Sequence, residues 1–329
     1  MNGKSPHRTS SLRLGIVGCG RIVERGYLPA LRELPGVTLV GVADPDRARA
    51  QLLARSGGTL AYNSATQLIT AGNLDAVVVA TPADRHLEVA TQAAAAGLPS
   101  LVEKPPATDL DGALGLAALA PSPAIGFNRR FLQGLELRPV LPLSGWLELE
   151  LEMRFRRDGW SAHVSRDEAL LDAGTHLIDL AIFLAGSEPI AVRGAVVEPE
   201  RASLELELGR GRARIRCATD RPYAERVEVR DRAGQVLGAC RTNRLRARVD
   251  RLRRGPDPLV RSLRRQIECF ASALLHPAVP LPDIARQRNS GALATAADGI
   301  ATMAVVEAAR SSAALGGAEV TVAVPEGVA

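Results

Sequence analysis

Three side chains able to take up or hold protons sit close together in the chain: Asp172, His176 and Asp179. Their spacing of four and then three residues, at roughly 100° per residue, puts them within about 60° of arc on one helical face. An imidazole is the natural proton shuttle near neutral pH, and carboxylates a turn away can orient it or touch a substrate hydroxyl. Ala173, Leu177, Leu180 and Leu184 form the adjacent apolar stripe, so the helix suits the wall of a cleft. The plainer alternative has Asp172 capping the helix and His176 paired with Asp179 at an interface. A metal centre has less support, because no third ligand of clear identity stands nearby.

A fourth residue is singled out by scarcity. Of 41 lysines and arginines, only Lys4 and Lys104 are lysines. Where arginine serves almost everywhere, a lysine inside the folded region marks a place that needs a compact ammonium.

The elements that must position these groups can be read in order. Leu12 to Val17 is an apolar run ending in Gly18-Cys19-Gly20, followed by a helical pattern to about Leu34; Val37 to Ala43 is a second run, ending in Asp44. Strand, glycine turn, helix and strand make the opening of a dinucleotide-binding Rossmann fold. Gly18 and Gly20 supply the tight turn and the close backbone approach to a pyrophosphate, with Cys19, Arg21 and Ile22 completing the cofactor-facing turn. Asp44, 24 residues after Gly20, would accept hydrogen bonds from the adenosine ribose, alone or while also capping a helix from Pro45 to Arg55. Its charge would repel a 2′-phosphate, which favours NAD; Arg47 and Arg49 leave NADP open. Val23 occupies the third glycine position of the fingerprint, which weakens the expectation of closest helix-on-strand packing.

Asp75 to Ala80 reads as a strand buried on both faces and stopped by Thr81-Pro82. A helix from Arg85 to Ala96 closes at Gly97, a strand from Pro99 to Val102 ends at Glu103-Lys104-Pro105, and Ala124 to Phe127 gives one more strand. The pattern then changes. Leu147, Leu149, Leu151, Met153 and Phe155 alternate with Glu and Arg, as in a strand with one wet face, and alternation recurs at 203–208, 212–216 and 226–240, the last turning at Ala233-Gly234. Helices are expected at 171–184, 258–275 and 289–315. The fold class is therefore α/β: an N-terminal doubly wound parallel sheet and a C-terminal α/β domain with an open, mainly antiparallel sheet. The expected division is a tail over 1–11, a cofactor domain over 12–125, and a substrate and oligomerisation domain over 126–329 whose C-terminal helix packs back on the first.

Composition removes several function classes. With 46% hydrophobic and 23% charged residues the chain is ordinary globular material. No apolar stretch has the length of a spanning helix and residues 1–11 lack a signal-peptide core, so no membrane partner and a cytoplasmic location are expected. The four cysteines are too scattered for a zinc knuckle or a disulfide framework. Ten arginines between Arg241 and Arg265 face only Asp250 and Asp257. That patch can draw an anion such as a nucleotide-sugar, or form a solvated helix or oligomer contact. Aromatic residues amount to 3%, too few, without any DNA-binding motif, to support a nucleic-acid partner.

Several ordered motifs, Val-Ala-Thr-Pro (79–82) with His86, Glu-Lys-Pro-Pro (103–106), Gly-Phe-Asn-Arg-Arg-Phe (126–131) and Asp-Ala-Gly-Thr-His-Leu-Ile-Asp-Leu (172–180), together resemble one family. It is the glucose-fructose oxidoreductase, inositol dehydrogenase and rhizopine-catabolism (Gfo/Idh/MocA) family. The resemblance implies a nicotinamide-dependent enzyme that oxidises or reduces a hydroxyl or ketone of a sugar, cyclitol, aminosugar or nucleotide-sugar. It also implies a homodimer or homotetramer built through the C-terminal sheet. Thr81, Pro82, His86 and Glu103 would line the nicotinamide side, the Lys104-Pro105 bond would be cis, and Lys104 would stabilise a developing alkoxide. His176 would take the hydroxyl proton as the same carbon gives up hydride, with Asp172 orienting the imidazole or contacting substrate. Asn128 and Arg130 would touch substrate or hold an interdomain hinge, Asp179 joins the substrate set, and Trp160 and His163 would stack on or flank a sugar ring or pack within their loop. Relatives often carry a glycine pair before the catalytic aspartate, whereas here the stretch is Arg166-Asp167-Glu168-Ala169-Leu170-Leu171, so family substrates do not transfer. Two alternatives stand beside the dehydrogenase: an NAD-dependent glycosidase working by transient oxidation, and a cofactor-binding regulator without turnover. Retention of Lys104, Asp172 and His176 counts against the regulator.

Overall fold

The computed structural model describes residues 11–32, 34–131, 145–157, 168–255, 257–275 and 293–325. Strands β1 (Leu12–Val17), β2 (Val37–Ala43), β3 (Leu60–Tyr62), β4 (Ala76–Val79), β5 (Ser100–Glu103) and β6 (Ala124–Gly126) pair in parallel in the order β6-β5-β4-β1-β2-β3. All four residues of β4 are buried, as required of a strand with helices on both faces. The order reverses between β1 and β4, and a crevice at such a switch point is where open α/β sheets bind ligands.

The helix after β1 runs from 21 to 32 and contains a π turn, Val23–Tyr27, before α1 (Leu28–Arg32). Val23 is fully buried there. Close approach in this helix falls instead at Gly26, where a Cβ would lie 2.4 Å from Leu263 Cδ1. Helix α2 (Arg47–Gly57) starts later than the sequence suggests: its N-cap is Asp46, whose side chain accepts from the Ala48 and Arg49 N–H groups. Asp44 is not the cap. Helices α3 (Ala65–Ala71), α4 (His86–Ala95) and α5 (Leu110–Ala117) complete the first layer.

The second sheet comprises β7 (Leu147–Arg156), β8 (Pro189–Val197), β9 (Arg201–Leu208), β10 (Gly211–Ala218), β11 (Asp220–Asp231) and β12 (Val236–Asn243). Its pairs are antiparallel except β7 with β10. Leu147, Leu149, Leu151 and Met153 are buried against α6 (Thr175–Ala185). The opposite face carries ion pairs such as Arg212–Glu148 and Arg214–Glu205, which is why each strand alternates apolar and charged residues.

The chain then returns to the first layer. After α7 (Arg244–Arg254), helix α8 (Pro258–Leu275) buries Val260, Leu263, Ile267 and Phe270 in the same core as Val23, Tyr27 and Leu31. Strand β13 (Ala294–Thr295) adds an antiparallel edge beside β6, and α9 begins only after it, at Ala296–Ala314, with a Thr295/Asp298 capping box. The expected helix from 289 is thus shortened by a strand. Strand β14 (Val320–Thr321) closes the second sheet beside β8. Residues beyond 125 therefore contribute an edge strand and a covering helix to the first layer. Among the described residues no helix is long and apolar enough to cross a membrane.

Candidate active site

The glycine turn sits at the switch point. Gly18 has φ +99°, and a Cβ there would lie 2.3 Å from the Ala80 carbonyl oxygen at the end of β4, so only glycine lets the β1 and β4 ends approach. At Gly20 a Cβ would meet no atom within 4 Å. This open space, at the N-terminus of the helix that begins at Arg21, has room for a pyrophosphate, whereas the Ile22 side chain packs towards Gly26 and the core. Asp44 ties the turn to β2: Oδ2 accepts from the Cys19 N–H at 2.7 Å and Oδ1 from the Asp46 N–H at 2.8 Å. Burial, reinforced by Asp44, pushes the Cys19 thiol up to about 12, which leaves it unreactive at neutral pH.

Further along the crevice, Glu103 ends β5. Its Oε1 accepts from the Tyr27 hydroxyl at 2.6 Å and its Oε2 from the Lys104 N–H at 3.1 Å. Burial raises the Glu103 pKa against these favourable contacts, and burial with the neighbouring Glu103 charge raises Tyr27. The Thr81 hydroxyl is buried with no hydrogen-bond partner among the described residues, a polar atom suited to a ligand beside Pro82. His86, expected on the nicotinamide side, spends both ring nitrogens on backbone carbonyls. It is buried between backbone carbonyls, Nδ1 3.0 Å from Pro105 O and Nε2 2.9 Å from Thr81 O. Its place is that of a clamp between the β4 and β5 loops, and burial lowers its pKa.

The Lys104-Pro105 bond is cis. Lys104 Nζ donates to the Asp172 carbonyl at 2.9 Å and to Asp172 Oδ1 at 3.0 Å. Asp172 lies in a π turn, Leu170–Gly174, that runs into α6, so the regular helical spacing assumed from the sequence does not hold across it. Arg157 Nη2 stands 3.3 Å from Asp172 Oδ2. Burial opposes the charged carboxyl, but Lys104 and then Arg157 outweigh it and hold Asp172 below the usual carboxylate range. One turn on, His176 is 7% exposed and its Nδ1 has no hydrogen-bond partner among the described residues. Burial first, then the charges of Lys104 and Arg129, push its pKa well below 6.5. Asp172 thus serves Lys104 and Arg157 and does not orient His176 by a hydrogen bond.

The remaining candidates separate from this cluster. Asp179 pairs with Arg130, Nε to Oδ2 at 2.9 Å, and Arg130 also meets Asp298 at 2.9 Å. Both Arg130 and Asp179 are buried, and their ion pairs join the segment after β6 to α6 and α9. Asn128 Nδ2 donates to Ser262 Oγ of α8 at 3.2 Å, likewise a tie between layers. Trp160 and His163 lie outside the described residues. Three residues missed from the sequence emerge instead: Tyr27, Arg157, and Arg129, which pairs with Glu225 at 3.2 Å. Arg129 stands within the Asn-Arg-Arg motif, and strand parity puts Arg157 on the apolar side of β7, so both were readable.

Residues 12–123 match the profile of the Gfo/Idh/MocA oxidoreductase family, NAD-binding Rossmann fold. Over these residues the chain carries that family's NAD-binding Rossmann domain. The inositol 2-dehydrogenase of Leifsonia xyli subsp. xyli is 34% identical over 190 residues, covering 56% of each chain. The chain aligns with only 56% to 63% of the length of the first curated relatives it matches. GenD2 of gentamicin A biosynthesis, solved in complex with NAD, superposes with a TM-score of 0.79 at 21% identity, over 98% of this chain and 99% of that one. The myo-inositol dehydrogenase of Lactobacillus casei, in complex with NAD(H) and myo-inositol, gives 0.73 at 18% identity, over 96% and 98%. At these identities the likeness is one of fold, and it extends through the second sheet.

Proposed function

We propose that this chain is an NAD-dependent oxidoreductase of the Gfo/Idh/MocA family acting on a CH–OH carbon of a sugar-like or cyclitol-like substrate. The observation that carries the reading is the meeting of Lys104 with Asp172 one turn before a buried histidine whose pKa is pushed well below 6.5. The Gly18–Gly20 turn and Asp44 would hold the dinucleotide, with Thr81, Pro82 and Glu103 towards the nicotinamide, which supplies the hydride acceptor. Asp44 favours NAD over NADP by charge.

The protein's own residues divide the remaining work. Neutral His176 takes the hydroxyl proton. Lys104 stabilises negative charge as it grows on the oxygen, from a position fixed by Asp172. The charges of Lys104 and Arg129 that disfavour protonated His176 also favour an alkoxide nearby, so they keep the base free and the product of deprotonation stable. Because the pKa is lowered, base function persists through neutral pH and fails only as pH falls towards that lowered value.

The reading is tested by following NADH absorbance with NAD and a panel of inositols, polyols, aminosugars and nucleotide-sugars. Sustained NADH accumulation with at least one compound is expected. Tight NAD binding without NADH from any of them, or glycoside cleavage without net NADH, would overturn it.

A further inference from the structure

Strand β7 sends Leu147, Leu149, Leu151 and Met153 to its apolar side, and the same parity carries Arg157, just past its end, to that side. A guanidinium there requires an anion. Its backbone is fixed, the N–H donating to Thr219 O at 2.9 Å. The side chain reaches Asp172, yet among the described residues Nε and Nη2, both buried, have no aligned hydrogen bond.

Those two nitrogens form the lateral fork of the guanidinium, whose parallel N–H bonds match two oxygens of a carboxylate or phosphate. Elsewhere in the molecule Arg130 closes the same fork on Asp179, through Nε and Nη2 together. Asp172 does not close it on Arg157, because Oδ1 is engaged by Lys104 Nζ at 3.0 Å. One carboxylate is thus shared by two cations. Arg129, the third cation near His176, is ion-paired through Nε with Glu225 at 3.2 Å, a contact that likewise lacks hydrogen-bond alignment but is not shared with a second cation. Among the described residues the site keeps one positive charge in surplus, Lys104, Arg157 and Arg129 facing Asp172 and Glu225, and a fork open beside the proposed base.

We propose that Arg157 is the oxyanion-recognising group of the substrate site, and that the substrate is an acidic sugar or cyclitol with a carboxylate or phosphate near its reacting hydroxyl. This inference rests on the oxidoreductase reading for the word substrate, but the anion site itself does not. A neutral polyol would leave the fork unmatched, whereas a sugar acid supplies the two oxygens it fits.

The test is calorimetric titration of the NAD-loaded protein with glucose, glucuronate and glucose 6-phosphate, alongside NADH formation with each. Wild type is expected to bind one anion at least tenfold more tightly than glucose, and the two anions distinguish carboxylate from phosphate recognition. Arg157→Gln and Arg157→Lys, checked for an unchanged thermal unfolding midpoint, should lower the anion-to-glucose affinity ratio at least tenfold, Lys less than Gln because it keeps charge but not the fork. Equal binding of all three, failure of both anions to bind at millimolar concentration, or equal losses for all three in the variants would overturn the proposal. Anion binding through Arg157 with no NADH from these three or from any compound of the wider panel would sustain the site and sink the dehydrogenase reading instead.

Discussion

Two carboxylates seven residues apart in one helical segment meet their cations in opposite ways. Asp179 is 1% exposed and takes the Arg130 fork, while Arg130 also holds Asp298 and stacks 4.5 Å from the centre of the Phe183 ring. Asp172 is 23% exposed at its side chain and is divided between Lys104 and Arg157, beside an imidazole nitrogen with no partner. The first cluster is closed: its donors and acceptors are matched, so it fixes where β6, α6 and α9 meet. The second is open. Unmatched buried donors are costly to keep, and a ligand that satisfies them recovers that cost. Closure marks the hinge and openness marks the site.

The sharpest way to break this contrast is to truncate one member of each cluster. His176→Ala and Lys104→Ala should each lower kcat/KM by three to four orders of magnitude, about 4–5.5 kcal/mol of barrier, while NAD affinity measured by calorimetry is retained. Near-normal turnover in either variant would remove the role assigned to it. Arg130→Ala should show the reverse signature: a loss of about 3–5 kcal/mol in denaturant unfolding, since the buried Asp179 and the partly buried Asp298 lose their counter-charge. If Arg130→Ala unfolded like wild type but lost substrate affinity, the hinge assignment would fail.

A pH series separates the clusters next. His86 and His176 both have lowered pKa values in the folded protein, burial being the first cause. Their contribution to stability is complete above the ordinary value near 6.5 and is lost as pH falls from there towards the lowered values. Asp172 and Asp298 are also lowered, from 3.8, so their contribution disappears only below that point. Melting temperature should therefore decline in two stages, the first starting below about pH 6.5 and weakened by His176→Gln. A flat profile down to pH 4 would contradict the buried neutral histidines.

The same contrast explains what was legible in the sequence. Glycines, Asp44 and strand runs act over short spans, so the β-α-β opening could be read from spacing alone, whereas the strand order that makes the switch point is a tertiary feature. Lys104 was visible through scarcity. The partnership of Asp172 was not, because a π turn changes the angular spacing before α6, and because Arg130 and Asp179, 49 residues apart, find each other only through tertiary packing. The partners of His86 were illegible for a related reason: they are backbone carbonyls, which carry no side-chain signature. Arg157 was legible by strand parity, since alternation in β7 assigns odd positions to the apolar side, and a charge at an odd position stands out.

The smallest expected effect lies at the cofactor end, where Tyr27 and Glu103 form a closed pair of a different kind. The fully buried Tyr27 hydroxyl donates to Glu103 Oε1 at 2.6 Å, while Oε2 keeps the Lys104 N–H. Tyr27→Phe removes one donor and no packing volume of consequence. The carboxyl that loses it is already pushed towards its neutral form by burial, so protonation relieves part of the penalty, and the cost should be about 1 kcal/mol, the low end for an acceptor left unmatched in the interior. Denaturant unfolding at pH 7 and pH 5 tests both halves of this account. The loss should shrink at the lower pH, where Glu103 protonates more readily. A loss of about 3 kcal/mol or more that is the same at both pH values would mean that Glu103 stays charged, and that Tyr27 is as essential to its closed pair as Arg130 is to the hinge.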